Sequence, residues 1–259
     1  MIKEILCKTA IDYECQPDGG RTPVLDAYDG CQLCCPYCFQ WRDPAWNRDI
    51  LVKTNFPEIL EKELETWDPT QTLYVGSRGD PYQALEGKYR LTRRTLQVLQ
   101  AHAIPCILST KSNASALFDD IDLFRQYGNK LILCIGQTNL AHLQQTSDPR
   151  ELPNIRTANE LARLGIETWV FITPVLPGIT DVKNMLEALP EALPVYLDIL
   201  RLDPGSSSER RFFEYLRTCY PELEDRYRAI LPDGKDPYYN ELKELYQNEP
   251  RVKFVFGEF

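Results

Sequence analysis

Short apolar runs alternate with amphipathic segments along most of the chain, and this alternation is the feature that most limits the fold. Six runs have the character of buried strands: TPVLDAY, TLYVGS, PCILSTKS, KLILCIGQT, ETWVFITPVLPG and PVYLDILRLDP. Between them, apolar residues recur three and four positions apart, as on a helix face, in NFPEILEKELETW, LTRRTLQVLQAHA, ASALFDDIDLFRQYG, TANELARLGI and DVKNMLEALPEA. This repeated order predicts a parallel sheet, either doubly wound or curved into a full or partial barrel.

No linker, low-complexity tract or convincing repeat divides the 259 residues, so the sequence predicts one core with additions at both ends. We expect an irregular N-terminal segment over residues 1–22, a β/α core over residues 23–205 and a C-terminal extension over residues 206–259 that packs on the core. Within the extension, ERRFFEYLRTCYPELEDRYRAIL is predicted to be helical and RVKFVFGEF to form a last strand or tail.

The net charge is -9 and the isoelectric point is near 4.9, which argues against a broad basic surface for duplex DNA. Duplex DNA is therefore a disfavoured partner. The N-terminus lacks the apolar stretch of a signal peptide, and no run approaches the roughly 18 apolar residues of a membrane span. These features predict a cytoplasmic protein without a membrane partner.

Four of the nine cysteines lie within eight positions of the stretch YDGCQLCCPYCFQW. They can form two Cys-x-x-Cys knuckles around zinc, Cys31 with Cys34 and Cys35 with Cys38, or a triplet of Cys31, Cys35 and Cys38 with Cys34 left over. Side chains of adjacent residues in an extended segment diverge, which disfavours four thiolates on one metal. The triplet instead supplies three thiolates to a [4Fe–4S] cluster and leaves one iron open to a small chelating ligand.

A Cys-x3-Cys-x2-Cys triplet directly after the first strand of a β/α series resembles the radical S-adenosylmethionine (SAM) superfamily. Two further blocks, GSRGDPYQALEGKYRLTRRTLQVLQAHAIPCILSTKS and ITPVLPGITD, make the chain similar to its spore-photoproduct-lyase-like branch, also called DNA repair photolyase-like. The match covers about residues 23 to 204. The resemblance implies an α/β fold with a partial (β/α)6 TIM-type barrel and a C-terminal helical extension.

The resemblance also implies an iron–sulfur lyase-type chemistry with two cofactors, a [4Fe–4S] cluster and SAM, and a reductant such as flavodoxin or ferredoxin. The open iron would bind the methionine part of SAM, and reductive cleavage would give a 5′-deoxyadenosyl radical that takes a hydrogen atom from the substrate. The acidity of the chain favours a small molecule or a peptide as that substrate. The alternatives are DNA photoproduct repair and a non-catalytic iron–sulfur or zinc protein.

Carried over residue by residue, the resemblance implies that Tyr37 lies near the adenine, Asp80 accepts from the methionine amino group and Lys111 meets the SAM carboxylate. Each position also has a structural interpretation. Tyr37 can pack as a loop aromatic, Asp80 can cap the turn before Pro81, and Lys111 can be an exposed charge.

Further SAM contacts implied by the resemblance lie after the fourth and fifth strands and in the helix between them. They are Gln137 or Thr138, Arg156 and Pro177, the last followed by Gly178, which would permit close backbone approach. Gly136 departs from the pattern, because relatives often carry a serine there. No residue is assigned to catalysis on the substrate.

The remaining cysteines are scattered, so a second cluster is not expected, and Cys106 and Cys134 are predicted to fill the core. No cysteine maps onto the hydrogen donor of photoproduct lyases, which weakens the repair alternative. The paired arginines Arg93–Arg94 and Arg210–Arg211 can contact phosphate, but charged helix faces are the simpler prediction.

Overall fold

The computed structural model describes residues 1–15, 19–43, 45–113, 115–137, 151–231 and 236–256. The chain divides into two compact units. The first comprises Met1–Leu33, Asn47–Ile135 and Arg163–Thr168, and the second comprises Cys34–Trp46, Gly136–Ala162 and Trp169–Phe259.

The first unit is built on two sheets. Its strands are β1 (Ile2–Ile5), β2 (Ile11–Cys15), β3 (Arg21–Leu25), β4 (Tyr28–Asp29), β5 (Ile50–Lys53), β6 (Leu73–Val75), β7 (Cys106–Thr110) and most of β8 (Leu131–Gln137). In the larger sheet β3, β6, β7 and β8 run parallel, and β2 pairs antiparallel with the free side of β3. In the smaller sheet β5 pairs parallel with β1 and antiparallel with β4. The carboxyl ends of the parallel strands, where α/β folds place ligands, therefore share one edge of the larger sheet.

In the described part of this unit five helices follow these strands, and all but one, which buries only Glu86, bury apolar side chains. They are α1 (Phe56–Leu64), α2 (Glu86–Tyr89), α3 (Leu91–Ala101), α4 (Ser115–Phe118) and α5 (Ile121–Tyr127). Helix α1 buries Phe56, Leu60 and Leu64, spaced four apart, and α3 buries Leu96 and Leu99. Each such side chain contributes about 1.5–3 kcal/mol when it leaves water, so the two helices are held by packing rather than by helix propensity.

The second unit has parallel strands in the order β9 (Thr168–Val175), β10 (Val195–Ile199) and β11 (Val252–Phe254). Its helices are α6 (Pro153–Arg163), α7 (Val182–Glu187), α8 (Ser207–Cys219), α9 (Glu224–Ile230) and α10 (Pro237–Tyr246). Two side chains satisfy backbone amides at the start of helix α8: the Ser206 hydroxyl, at the N-cap, accepts from the Glu209 amide at 3.2 Å, and the Glu209 carboxylate accepts from the Gly205 amide at 2.7 Å.

The predicted mixed α/β fold with parallel strands is confirmed, since all six predicted strands are present as β3 and β6 to β10. Strand pairing within either unit closes no barrel in the described residues. The prediction that residues 1–22 are irregular is wrong, because this segment contains β1 and β2. Both strands are short and largely exposed, so they lack the apolar run by which a buried strand is found.

The C-terminal extension also differs in detail from the expectation. The predicted helical stretch over residues 209–231 is two helices, because Pro221 opens a 3-10 turn between α8 and α9. Helix α10 was not predicted; it starts with Asp236 as its cap and Pro237 in its first turn. The predicted last strand is present as β11. Among the described residues, no helix combines the length and apolar character that crossing a membrane requires.

Candidate functional site

The first part of the cysteine loop is fastened by Asn47. The Cys31 backbone amide donates to Asn47 Oδ1, and Asn47 Nδ2 donates back to the Cys31 carbonyl, each at 2.8 Å. Gly30, just before, has a φ of +101°, and a Cβ there would lie 2.8 Å from Asn47 Oδ1. Glycine at position 30 is therefore needed both for the backbone conformation and for the approach of Asn47.

The GDPYQ block also supports this loop. Gln83 Nε2 donates to the Gly30 carbonyl at 3.2 Å, and Gln83 Oε1 accepts from the Gln32 amide at 3.0 Å. At Gly79 a Cβ would come within 3.0 Å of the carbonyls of Tyr28 and Gly30. The turn after β6 thus lies directly against the segment that carries the first triplet cysteine, and it leaves no room for a side chain there.

The second part of the cysteine loop is a turn closed by backbone bonds and by Trp41. The Cys35 carbonyl accepts from the Cys38 amide at 3.1 Å and from the Trp41 indole N–H at 3.0 Å. The Trp41 amide donates in turn to the Cys38 carbonyl at 3.1 Å. Cys34 has a φ of +51°, the left-handed conformation that residues other than glycine rarely adopt.

The chemistry of this donor set fits an iron–sulfur cluster. All nine cysteines are outside disulfides, so thiols are available as ligands. Within the described ranges, however, no three His, Cys, Asp or Glu side chains are grouped closely enough to hold a metal ion. The loop nevertheless has thiol ligands of the type and spacing that such a cluster needs.

Asp80 is buried, and its carboxylate is occupied by the protein itself. Its Oδ1 accepts from the Tyr82 amide at 2.9 Å and from the Thr110 hydroxyl at 2.7 Å, and its Oδ2 accepts from the Lys111 amide at 2.7 Å. Burial raises the pKa of Asp80, and these hydrogen bonds oppose that rise. The carboxylate therefore ties the turn after β6 to the end of β7, the capping role that was the structural interpretation of this residue, and it fixes the backbone of half-buried Lys111.

Asp26, which the sequence did not single out, performs a similar task at the end of β3. Its Oδ1 accepts from the amides of Arg78 and Gly79 at 3.0 and 3.2 Å, while its Oδ2 is buried without a hydrogen-bond partner among the described residues. Burial raises the pKa of Asp26 to about 6. Two buried carboxylates, Asp26 and Asp80, thus hold the two ends of the same turn.

Gln137, the last residue of β8, differs from Asp80 in the hydrogen bonding of its side chain. Its side chain is 1% exposed, and neither its amide oxygen nor its amide nitrogen has a hydrogen-bond partner in the described part of the chain. The preceding Gly136 carbonyl accepts from Asn154 Nδ2 at 2.5 Å, which fixes the strand end. Buried amides are rarely left without partners, so Gln137 has the bonding capacity that a ligand contact needs. Thr138 lies outside the described residues.

The other predicted SAM contacts have different surroundings. Tyr37 is buried at 7% exposure. Arg156 is exposed on α6. Pro177 is buried and its carbonyl accepts from the Tyr227 hydroxyl at 3.0 Å, while a Cβ at Gly178 would meet Leu223 at 3.1 Å. The C-terminal extension therefore contacts the Pro177–Gly178 segment directly.

Two cysteines outside the loop behave as core residues. Cys106 and Cys134 are buried in β7 and β8, and burial raises the pKa of each thiol to about 12. The prediction that they fill the core is confirmed, since a thiol with so high a pKa carries no thiolate near neutral pH.

Comparison with known proteins gives distant relatives. No protein-family model matches the chain. An uncharacterized protein of Mycobacterium tuberculosis is 27% identical over 265 residues, covering 92% of this chain and 76% of the relative. An uncharacterized protein of Methanocaldococcus jannaschii is 28% identical over 213 residues and covers 78% of each chain.

Solved structures give a clearer match. Spore photoproduct lyase complexed with dinucleoside spore photoproduct superposes with a TM-score of 0.65 at 13% identity, covering 98% of this chain and 82% of that protein. Streptococcus suis SuiB bound to S-adenosylmethionine superposes with a TM-score of 0.51 at 13% identity, over 91% of this chain and 50% of SuiB. The predicted resemblance is thus confirmed at the level of the fold, and the chain has the fold of the radical SAM superfamily in the form found in spore photoproduct lyase.

Proposed function

We propose that the protein is a radical SAM enzyme that holds a [4Fe–4S] cluster through Cys31, Cys35 and Cys38 and removes a hydrogen atom from a small-molecule or peptide substrate. The observation that carries the proposal is the triplet spacing in a loop after the first parallel strand of a chain with this fold. When bound, the cluster and SAM supply the electron and the carbon radical for that chemistry.

The residues of this chain have the task of binding and orientation. Asn47 and Gln83 fix the backbone around Cys31, and Trp41 fixes the backbone of Cys35 and Cys38.

For SAM we propose contacts at the carboxyl ends of the strands. Lys111, whose backbone is fixed by Asp80, would meet the SAM carboxylate, and Gln137 would use its two open amide groups. A direct contact of Asp80 with the methionine amino group, and contacts of Tyr37, Thr138, Arg156 and Pro177, remain predictions from the resemblance. So do the partial barrel, the domain limits at residues 22 and 205, the flavodoxin-type reductant and a cytoplasmic location.

The leading alternative is DNA photoproduct repair, and the likeness to spore photoproduct lyase in its photoproduct complex favours it. Charge opposes it. Many arginines are engaged by carboxylates of the chain, as Arg93 is by Asp120 at 2.6 Å and Arg226 is by Asp236 at 2.9 Å. Such arginines are less available to neutralise phosphates, on which duplex affinity depends.

The test is anaerobic reconstitution with iron and sulfide, followed by addition of SAM and a reductant. We expect about four irons per chain, brown absorption and formation of 5′-deoxyadenosine. Duplex oligonucleotides with and without a thymine photoproduct then test the alternative at about 150 mM salt. Bound zinc without SAM cleavage would overturn the proposal, and damage-selective binding below micromolar concentration would favour repair.

A further inference from the structure

Helix α8 of the C-terminal extension contacts the cysteine loop through Trp41. The Ser207 hydroxyl, in the first turn of α8, donates to the Trp41 carbonyl. One turn further along the helix, the Arg211 guanidinium lies over the Trp41 ring with its Cζ 3.9 Å from the ring centroid. Residues four apart on a helix share a face, so Ser207 and Arg211 reach the same tryptophan from one side.

Trp41 in turn forms hydrogen bonds with the backbone of two cysteines. Its indole N–H donates to the Cys35 carbonyl and its backbone amide donates to the Cys38 carbonyl, so one residue, Trp41, holds both cysteines. A cation over a tryptophan face is among the stronger aromatic contacts. The guanidinium is also partly withdrawn from water, because Arg211 Nε is buried without a hydrogen-bond partner among the described residues.

The paired arginine beside it has no such role. Arg210 is exposed and donates to the Gly205 carbonyl at 2.8 Å, a contact within the start of its own helix. The Arg210–Arg211 pair, which in sequence is a candidate phosphate contact, therefore consists of one helix-surface residue and one residue that stacks on the cysteine loop.

We propose that Arg211 is a positioning residue for the cluster ligands: through Trp41, helix α8 holds the Cys35–Cys38 turn in place before and after the cluster binds. The inference rests on the proposed function for the identity of the bound group. It gives the C-terminal extension a part in the site, where sequence predicts packing alone. A turn that is fixed at its base loses less conformational freedom when the cluster binds.

The first measurement uses the metal-free full chain. Hydrogen exchange of the Trp41 indole N–H, assigned with Trp41→Phe, is compared in wild type, Arg211→Gln and Arg210→Gln by nuclear magnetic resonance. We expect Arg211→Gln to raise the exchange rate about threefold to tenfold, as loss of a partly buried cation–π contact should, and Arg210→Gln to stay near wild type. Equal rates in the two variants would overturn the proposal.

The second measurement follows iron. In reconstituted protein, a chelator should remove iron about threefold to tenfold faster from Arg211→Gln than from Arg210→Gln. Ser207→Ala, a milder change on the same helix face, should lie between them, which guards against a variant that merely folds poorly. Faster indole exchange without faster iron loss would overturn the positioning role. Wild-type protein that takes up no iron would contradict the proposed function itself, whatever the exchange rates show.

Discussion

Asp80 and Gln137 are both buried polar residues at the carboxyl ends of strands, and both match positions where the resemblance predicts SAM. They differ in what the protein already provides. Three hydrogen bonds from Tyr82, Thr110 and Lys111 satisfy the Asp80 carboxylate, whereas neither polar atom of Gln137 has a partner in the described chain. A side chain with unused bonding capacity is the better candidate for a ligand, and one that is already satisfied is the better candidate for a framework.

The largest expected effect is on iron binding by the cysteine loop. Cys31→Ala, Cys35→Ala and Cys38→Ala should each reduce bound iron to the background level, because each change removes one of the three thiolates that hold the cluster. Cys34→Ala is the matched control and should keep most of the iron. A loss as complete in Cys34→Ala as in the others would instead support two zinc knuckles.

The next prediction tests whether Asp80 stabilises the fold or binds SAM. Asp80→Ala should lower the free energy of unfolding by about 2–4 kcal/mol, because it leaves the buried Thr110 hydroxyl and the amides of Tyr82 and Lys111 without their acceptor. Urea denaturation of the metal-free protein measures this. Stability within about 0.5 kcal/mol of wild type would show that Asp80 is no framework residue. Weaker SAM binding at unchanged stability would return it to the predicted role of SAM acceptor.

Asp26 sharpens the comparison through pH. Its pKa of about 6 in the fold lies above that of the unfolded chain, so the fold binds the proton more tightly and this group's contribution to stability falls as pH rises from about 4 to about 6. Asp26→Asn removes that titration. Between pH 4 and pH 8 the free energy of unfolding of the variant should therefore rise by about 2–3 kcal/mol relative to that of wild type. Denaturant midpoints in one buffer series measure this difference. A constant difference across this range would contradict the raised pKa.

At Gln137 we expect the reverse of Asp80. Gln137→Leu, of similar size, should leave stability unchanged or raise it by about 1 kcal/mol, because a buried amide without partners is removed. Binding of SAM to the reconstituted protein should weaken about tenfold, the loss of one hydrogen-bonded contact to a charged ligand. Unchanged affinity, with lower stability, would mean that Gln137 is bonded within the protein after all.

The smallest effect concerns Cys34, whose φ of +51° suits glycine. Cys34→Gly should relieve the left-handed strain but add freedom to the unfolded chain, so stability should change by less than about 1 kcal/mol. Iron content should not change. Thermal unfolding and iron assays check both statements, and a clear loss of iron would mean that the side chain of Cys34 is a ligand.

Sequence sufficed where a pattern reflects a local physical cause. Apolar runs gave all six core strands, and the spacing of Cys31, Cys35 and Cys38 gave the candidate ligands. It failed where the cause is a contact between distant residues. Asn47 and Arg211 carry no spacing signal, because their partners, Cys31 and Trp41, are brought to them only by the fold. The exposed strands β1 and β2 were missed for a related reason, since pairing rather than burial holds them.

In the proposed function, SAM binds the iron that the three thiolates leave open. Electron–nuclear double resonance on the reduced, reconstituted protein with SAM labelled by ¹⁵N in its amino group and ¹⁷O in its carboxylate tests this directly. We expect hyperfine coupling from both labels, which should be absent without SAM and preserved in Cys34→Ala. A reduced cluster that shows no coupling to either label at saturating SAM would contradict it.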